Sequence, residues 1–239
     1  MAESSLNPAQ ELAEIVSNLR KHLIIGREMG LEPPRVSDST INYLNKRPGG
    51  LQTLEKLREH IGNCQRCGLS QGRHHLVFGE GPPKARLVFI GEAPGRDEDL
   101  AGRPFVGEAG KLLTRIIENG MGLTRDQVYI CNVIKCRPPD NRDPNEEEID
   151  TCFPFLRNQL RLIKPEVICT LGRIAAQTLV DKRFKITEQR GKWHSFMEIP
   201  LMPTFHPAYL LRYPDAKKQV WQDIQEVMKK LGLEVSKNA

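Results

Sequence analysis

Leu87-Val-Phe-Ile-Gly-Glu-Ala-Pro-Gly95 decides the fold, because four apolar residues run directly into a glycine-rich turn. A short apolar run closed by glycine is typical of a strand buried on both faces. Pro203 lies inside a later run of this kind, which favours an edge strand or a break in the ladder there. Alternation of such runs with helical stretches predicts a three-layer α/β/α fold with a central, mostly parallel, four-stranded sheet. The later runs are Val128-Tyr-Ile-Cys-Asn-Val133, Val167-Ile-Cys-Thr-Leu171 and Leu201-Met-Pro-Thr-Phe205.

The helical stretches are marked by apolar spacing and by capping residues. Residues 111–119, a segment opened by Asp143-Pro144 and residues 215–231 are predicted helices, and a short one ends at Gly62. At the N-terminus, Asn7-Pro8 and an apolar stripe predict a further helix, which a linker follows. We therefore divide the chain into an N-terminal helical extension and linker (1–50), a main domain (51–232) and a C-terminal tail (233–239).

Composition is that of an ordinary globular protein, with 39% hydrophobic and 27% charged residues in a chain of 239. No apolar run approaches the roughly 20 residues that a membrane helix needs, and the first residues lack the features of a secretory signal. We expect a cytoplasmic monomer with no membrane partner. The net charge of +5 permits a polyanionic partner, although a solvated surface explains it equally well.

Four of the six cysteines form a pattern that suggests metal chemistry. Cys64 and Cys67 make a tight pair, and Cys136 and Cys152 follow at a distance. Four such thiolates can close a site around a zinc ion or an iron–sulfur cluster. Zinc ribbons usually contain two tight pairs, and a redox pair would leave the two outlying cysteines unexplained. Unrelated core thiols are the plain alternative, and we expect this for the remaining two, Cys131 and Cys169.

The residues that follow each predicted strand are the best candidates for a binding site. In open α/β sheets, ligands bind beyond the carboxyl ends of the strands. Those positions hold four short segments, Gly91-Glu-Ala-Pro-Gly95, Asn132 to Cys136, Gly172-Arg173 and His206-Pro-Ala-Tyr-Leu-Leu-Arg212.

Three of these segments, together with Gly102-Arg-Pro-Phe-Val-Gly107, resemble the signature stretches of the family 4 uracil-DNA glycosylases. The resemblance covers roughly residues 51–232. It implies a monofunctional DNA-repair enzyme that hydrolyses the N-glycosidic bond of deoxyuridine, releases uracil and leaves an abasic site. Uracil-containing DNA is then the partner. The resemblance also implies a [4Fe–4S] cluster, held by Cys64, Cys67, Cys136 and Cys152.

The resemblance assigns uracil recognition to residues at the strand ends. It implies that Phe105 stacks on a base flipped out of the DNA and that the Asn132 amide pairs with uracil O4 and N3–H. His206 donates a hydrogen bond to O2 as negative charge develops there. The backbone N–H groups of Gly91 and Ala93 are further candidates for holding uracil, and Glu92 between them is counted with the uracil-binding residues.

The water-orienting group is less clear. Better-known uracil glycosylases have an aspartate where this chain has Ala93, so the neighbouring Glu92 is the candidate catalytic carboxylate. Glu98 is expected to screen the C5 position against thymine, or else to belong to a solvated acidic run. Leu210 matches the wedge that enters the minor groove, and Arg212 would contact phosphate.

Two other functions stay open at this point. The fold could serve a stoichiometric uracil-DNA binding module, since no aspartate lies in the first motif. Alternatively, the cysteines could stabilise a zinc-containing nucleotide-processing protein or an electron carrier. No long basic insertion lies between Phe184 and His194, which favours turnover over covalent trapping of uracil.

Overall fold

The computed structural model describes residues 17–19, 21–26, 29 and 52–234 of the chain. The chain divides into two compact units, Met1–Gly50 and Leu51–Ala239. In the first unit, residues 17–19 and 21–26 are helical, which agrees with the apolar stripe there. The predicted start of that helix, its linker and the end of the C-terminal tail lie outside the described residues.

The second unit is built on a mixed sheet flanked by helices, and the predicted α/β class is confirmed. The sheet has five strands rather than the four predicted, in the order β2-β1-β3-β5-β4. All pairs are parallel except β4 with β5, which form an antiparallel pair. The additional strand is the three-residue β4, too short to show a periodic pattern. The strands are β1 (Leu87–Gly91), β2 (Tyr129–Asn132), β3 (Val167–Leu171), β4 (His194–Phe196) and β5 (Ile199–Thr204).

Helices cover both faces of this sheet and begin close to the predicted positions. The longest begins after Asn145, whose side chain accepts a hydrogen bond from the Glu148 N–H while Glu148 accepts one in return. No helix among the described residues is long and apolar enough to cross a membrane. The helices are α1 (Leu54–Ile61), α2 (Arg96–Ala101), α3 (Glu108–Arg115), α4 (Glu146–Ile163), α5 (Arg173–Leu179), α6 (Ile186–Gln189), α7 (Pro207–Arg212) and α8 (Lys217–Lys230).

Pro203 does not mark an edge strand, because β5 lies between β3 and β4. The other expectation for Pro203, a break in a strand ladder, agrees with the pairing of β4 and β5. Pairing with β4 ends at Leu201, and beyond it the Pro203 carbonyl accepts a hydrogen bond from the Gly191 N–H. The missing proline N–H therefore leaves no donor unpaired in the antiparallel ladder.

The hydrophobic core has two parts, one on each face of the sheet. Alternate residues of β1 divide between them, with Val88 and Ile90 in one cluster and Leu87 and Phe89 in the other. Cys131 and Cys169 are 1% and 0% exposed within their strands. These two thiols are therefore core residues, as expected.

Candidate active site

A cavity of about 550 Å³ opens at the carboxyl ends of β1, β2 and β5. This is where an open α/β sheet is expected to place a ligand. Seven of the predicted site residues line it, whereas Gly91 lies buried next to it and Leu210 does not reach it. The seven are Glu92, Ala93, Glu98, Phe105, Asn132, His206 and Arg212.

Asn132 is a buried amide without a hydrogen-bond partner. It is the last residue of β2 and is 1% exposed, yet neither its Nδ2 nor its Oδ1 atom is paired within the described structure. A buried polar group left unpaired destabilises the fold by about 1–3 kcal/mol. Such a group in a cavity wall is poised for a ligand that supplies both a donor and an acceptor.

Phe105 forms another part of the cavity wall and has a strained backbone conformation. Its φ is +52°, in the left-handed region that aromatic residues rarely adopt. The ring is only 5% exposed, and its centroid lies 5.5 Å from that of His206. Backbone strain of this kind persists only where the surroundings hold it, and it is concentrated at functional sites.

Two glycines create the space for this arrangement. A Cβ atom on Gly110 would lie 2.0 Å from the backbone carbonyl carbon and oxygen of Phe105. A Cβ atom on Gly91 would lie 2.4 Å from Asn132 Oδ1 and 2.6 Å from Phe105 Cζ. Gly91 therefore allows the amide and the ring to approach each other, whatever its own N–H contributes to binding.

Glu98 braces the Phe105 loop. Its Oε1 atom accepts hydrogen bonds of 2.9 Å from the N–H groups of Val106 and Gly107, and its Oε2 atom accepts one from Gly95 at 3.1 Å. The carboxylate also lines the cavity. Sequence reasoning missed this bracing role, since it depends on backbone groups eight and nine residues away. The expectation that Glu98 screens C5 stays a prediction.

His206 is held in one protonation state and one tautomer. Its Nδ1 atom accepts a hydrogen bond from the Ala208 N–H at 3.1 Å, which caps the first turn of α7. Burial, and to a lesser extent the Arg212 guanidinium, lower the pKa of His206 to about 4. The ring is therefore neutral at physiological pH and, because Nδ1 accepts, its proton is on Nε2. Nε2–H is then free to donate to a ligand.

The environment of the Glu92 carboxyl group disfavours its ionised form. Burial, followed by the Asp143 carboxylate, raises the pKa of Glu92 to about 7, while Arg173 acts in the opposite direction. Its backbone carbonyl accepts a hydrogen bond from the Ile134 N–H at 3.1 Å, which ties it to the segment after β2. A carboxyl group with a pKa near 7 can gain and lose a proton at working pH.

The loop after β2 supplies a wall that sequence reasoning did not assign. Asn141, Arg142 and Asp143 line the cavity, and Asp143 forms an ion pair with Arg173. Asp140 and Asn141 have consecutive φ values of +53° and +54°. Aspartate and asparagine tolerate this conformation best among non-glycine residues, so the Asp-Asn pair was the signal available in the sequence.

The wedge role of Leu210 stays a prediction that its burial does not favour. Leu210 is 1% exposed and packs in the core, whereas Leu211 is 44% exposed. The helix begins at Pro207, so Pro207 and Leu210 lie one turn apart on the same inward face. Residue spacing in the motif does not reveal this, because it depends on which face of α7 packs against the core. Arg212 is exposed at the cavity rim, where a phosphate could reach it.

The four predicted ligand cysteines lie within electrostatic range of one another. All six cysteines are free, and Cys136 interacts electrostatically with Cys64 and Cys67, as Cys152 does with Cys136 and Cys67. Burial raises the pKa of the Cys136 thiol and raises that of Cys152 to about 11. In the described part of the chain, no group of three or more His, Cys, Asp or Glu side chains could hold a metal ion as placed.

Two arginines nevertheless provide the charge that bound thiolates would need. Arg73 donates to Cys136 Sγ at 3.2 Å and to the Cys64 carbonyl at 2.7 Å, and Arg66 donates to Cys64 Sγ at 3.2 Å. A cubane cluster holds its thiolates farther apart than a single zinc ion does. Four free thiols with cationic donors to sulfur fit such a cluster as a donor set.

Comparison with known proteins adds independent information. A family model described as the uracil DNA glycosylase superfamily matches residues 78–225. The chain is 47% identical over 185 residues to a type-4 uracil-DNA glycosylase of Sulfurisphaera tokodaii, covering 74% of this chain and 84% of that protein. It is 43% identical over 190 residues to the type-4 enzyme of Saccharolobus solfataricus, covering 76% and 88%. Against the type-4 enzyme of Thermotoga maritima it is 44% identical over 181 residues, covering 73% and 93%.

Proposed function

The chain belongs to the uracil-DNA glycosylase superfamily, and we propose that it is a monofunctional repair enzyme that hydrolyses the N-glycosidic bond of deoxyuridine in DNA. The products are free uracil and an abasic site. The enzyme acts as a cytoplasmic monomer on uracil-containing DNA. The single observation that carries this proposal is the unpartnered amide of Asn132, buried in a cavity with an aromatic ring and a neutral histidine.

Asn132 reads the base. Its Nδ2 group donates to uracil O4 and its Oδ1 atom accepts from N3–H, which satisfies both unpaired atoms at once. Cytosine presents an amino donor and a bare ring nitrogen at these positions. With the amide in this orientation, cytosine would leave it facing like groups, and a site built on buried hydrogen bonds rejects such a ligand strongly.

Phe105 supplies the stacking surface for a base that has left the duplex. The glycosidic bond is inaccessible inside the double helix, so the nucleotide rotates out into the cavity. Because the ring already lies against Gly91 and the Phe105 backbone against Gly110, the ring loses little freedom when uracil stacks on it. The exposed Leu211 takes the wedge role first assigned to Leu210, and Arg212 binds a backbone phosphate.

His206 stabilises the leaving group. As the glycosidic bond breaks, negative charge accumulates on uracil O2, and the neutral Nε2–H donates a hydrogen bond to it. A preorganised donor of this kind contributes about 2.7–4 kcal/mol to the transition state. The low pKa of His206 means that the ring acts as a hydrogen-bond donor and does not transfer its proton.

Glu92 orients the attacking water. Its ionised form accepts a hydrogen bond from water and stabilises the cation-like sugar, as carboxylates do in glycoside hydrolysis. Ala93 cannot serve, which leaves Glu92 as the carboxylate of the first motif that lines the cavity. Asp143 and Arg173 oppose each other in setting how much of Glu92 is ionised.

Cys64, Cys67, Cys136 and Cys152 would hold a [4Fe–4S] cluster. It would supply iron–thiolate cross-links and take no part in the chemistry at uracil. Through these four cysteines it would join the segment before β1, the loop after β2 and helix α4, and so would stabilise the loop that begins at Asn132.

An excision assay tests the proposal. Iron-loaded protein is incubated with an oligonucleotide that contains one deoxyuridine, and abasic sites are then cleaved with alkali. We expect strand cleavage at the uracil position, with many turnovers per protein molecule. Asn132→Leu should abolish it, while the matched change at an exposed asparagine, Asn119→Leu, should not.

Two results would contradict the proposal. Wild-type protein that gives no cleavage above the enzyme-free control is not a glycosylase. Release of at most one uracil per protein molecule would instead identify a stoichiometric binding module.

A further inference from the structure

Lys135 lies between the proposed base-reading residue and a proposed cluster ligand, and neither role uses it. It is 1% exposed, and its Nζ atom donates to the Asn132 carbonyl and to Gln159 Oε1, each at 2.7 Å. Among the described residues no carboxylate forms an ion pair with it. A buried ammonium group without a counter-charge is costly, so its retention calls for a reason.

The hydrogen bonds continue from Lys135 into the core. Gln159 is fully buried on α4, and its Nε2 atom donates to the Phe78 carbonyl at 2.8 Å and to the Tyr129 hydroxyl at 3.0 Å. Tyr129 is the first residue of β2 and is itself 2% exposed. Three buried side chains thus connect both ends of β2 to one helix.

This network holds the backbone of Asn132, whose side-chain amide makes no hydrogen bond within the described structure. The direction of that amide therefore depends on the backbone that carries it and on packing against Gly91. Asn132 ends β2, and the backbone leaves the sheet immediately afterwards, where Val133 and Ile134 donate to the carbonyls of Gly91 and Glu92. Lys135 holds the Asn132 carbonyl at this bend.

The same ammonium group lies near the cysteines. It interacts electrostatically with the thiols of Cys131 and Cys152. Cys131 is a core thiol, whereas Cys152 would carry negative charge as a bound thiolate. A bound cluster would therefore supply the counter-charge that Lys135 lacks.

We propose that Lys135 is a positioning residue for uracil recognition, which fixes the Asn132 carbonyl and, through Gln159, connects the base-reading amide to the cysteine-bearing helix α4. This inference rests on the proposed function. Lys135 contacts the segment that reads uracil and does not line the cavity. A change at Lys135 should therefore weaken the binding of the base and leave the binding of DNA unaffected.

Product inhibition tests the inference with Lys135→Met, which keeps side-chain length and removes the charge. Free uracil should inhibit the variant about 10- to 100-fold more weakly, as expected when a recognition group is misplaced. Inhibition by an oligonucleotide with a tetrahydrofuran abasic site, which has no base, should stay unchanged. The matched variant Lys84→Met, at an exposed lysine, should leave both inhibition constants unaltered.

Hydrogen exchange provides a readout that does not need activity. In Lys135→Met, amides of residues 132–136 should exchange several-fold faster than in the wild type, while β3 keeps its protection. Gln159→Leu should give a smaller change in the same direction, which covers the case in which Lys135→Met does not fold. Iron content is measured in each variant, so that cluster loss is recognised.

The outcomes separate the two proposals. Unchanged uracil inhibition and unchanged exchange in both variants overturn the role of Lys135, while wild-type excision still supports the function. Equal weakening of uracil and abasic-site inhibition also overturns it, because that result indicates a general structural role. If the wild type excises no uracil, the function fails, and the exchange measurement alone decides whether Lys135 holds the Asn132 segment.

Discussion

The cavity at the strand ends and the cysteine region share the chain segment from Asn132 to Cys136, yet they are completed in different ways. The cavity is shaped by packing: Gly91 makes room for the Phe105 ring, Gly110 makes room for the Phe105 backbone, and Glu98 braces this loop. The cysteine region gathers four thiols whose charges would repel one another when ionised, so it needs a bound group to be completed. Changes in the cavity should therefore lower the excision rate with little loss of stability, and changes at the cysteines should do the reverse.

After Asn132→Leu, the largest effect on rate is expected from His206→Asn. The asparagine oxygen can still cap α7, because asparagine is a favourable N-cap residue, whereas the Nε2–H donor to uracil is lost. We expect the single-turnover rate to fall about 10²- to 10³-fold, with the melting temperature nearly unchanged. If the melting temperature falls along with the rate, His206 acts mainly as a helix cap.

Gly91→Ala tests whether packing shapes the cavity. The added methyl group would collide with Asn132 Oδ1 and the Phe105 ring, at 2.4 Å and 2.6 Å. We expect single-turnover excision to slow about 100-fold, the cost of displacing a positioned group by about 1 Å. Gly72→Ala is the control, since a Cβ atom there meets nothing within 4 Å. Equal rates for the two variants would contradict the steric account.

The pH dependence of excision should report Glu92. Its carboxylate must be ionised to orient water, so the rate should rise with pH and level off above about 7. Below that pH the rate should fall about tenfold per unit, and Glu92→Gln should be slow and lack this limb. A wild-type rate that is flat from pH 5 to pH 8 would remove Glu92 from the mechanism.

The same shift has a consequence for stability. The pKa of Glu92 is raised in the folded state, so the protonated form favours folding, and this contribution disappears as pH rises through about 7. Glu92→Gln should therefore unfold at a higher temperature than the wild type at pH 8, and the difference should vanish at pH 4. If Glu92→Gln raises the unfolding temperature equally at pH 8 and pH 4, the stabilisation has another cause.

The smallest effect on rate is expected from Cys64→Ala. This change removes one cluster ligand far from the proposed chemistry, so iron content and the melting temperature should fall, while the rate per iron-containing molecule stays within about threefold. Iron analysis, calorimetry and single-turnover kinetics check this. Loss of excision with folding and iron intact would break the contrast between the two regions.

Sequence reasoning located the site because strand ends are recognisable from apolar runs closed by glycine or a polar residue. Asn132 and His206 were found in this way, and both line the cavity. It failed where a role depends on orientation. Leu210 and Leu211 are chemically equivalent in sequence, and only the packing of α7 decides which is exposed. The residues around Lys135 show only that it belongs to a motif. Its burial depends on packing against α4, whose Gln159 lies 24 positions later in the chain.

The sequence by itself determined the α/β class, the order of the motifs and the chemical groups available at each strand end, because these follow from local periodicity and residue type. The tertiary structure alone decided which of those groups meet. It set the strained Phe105 against Gly91, brought Asp143 and Arg173 to Glu92, and fixed the His206 tautomer through burial and capping. Burial and proximity between distant segments control charge and orientation, and neither is encoded in any single stretch of the chain.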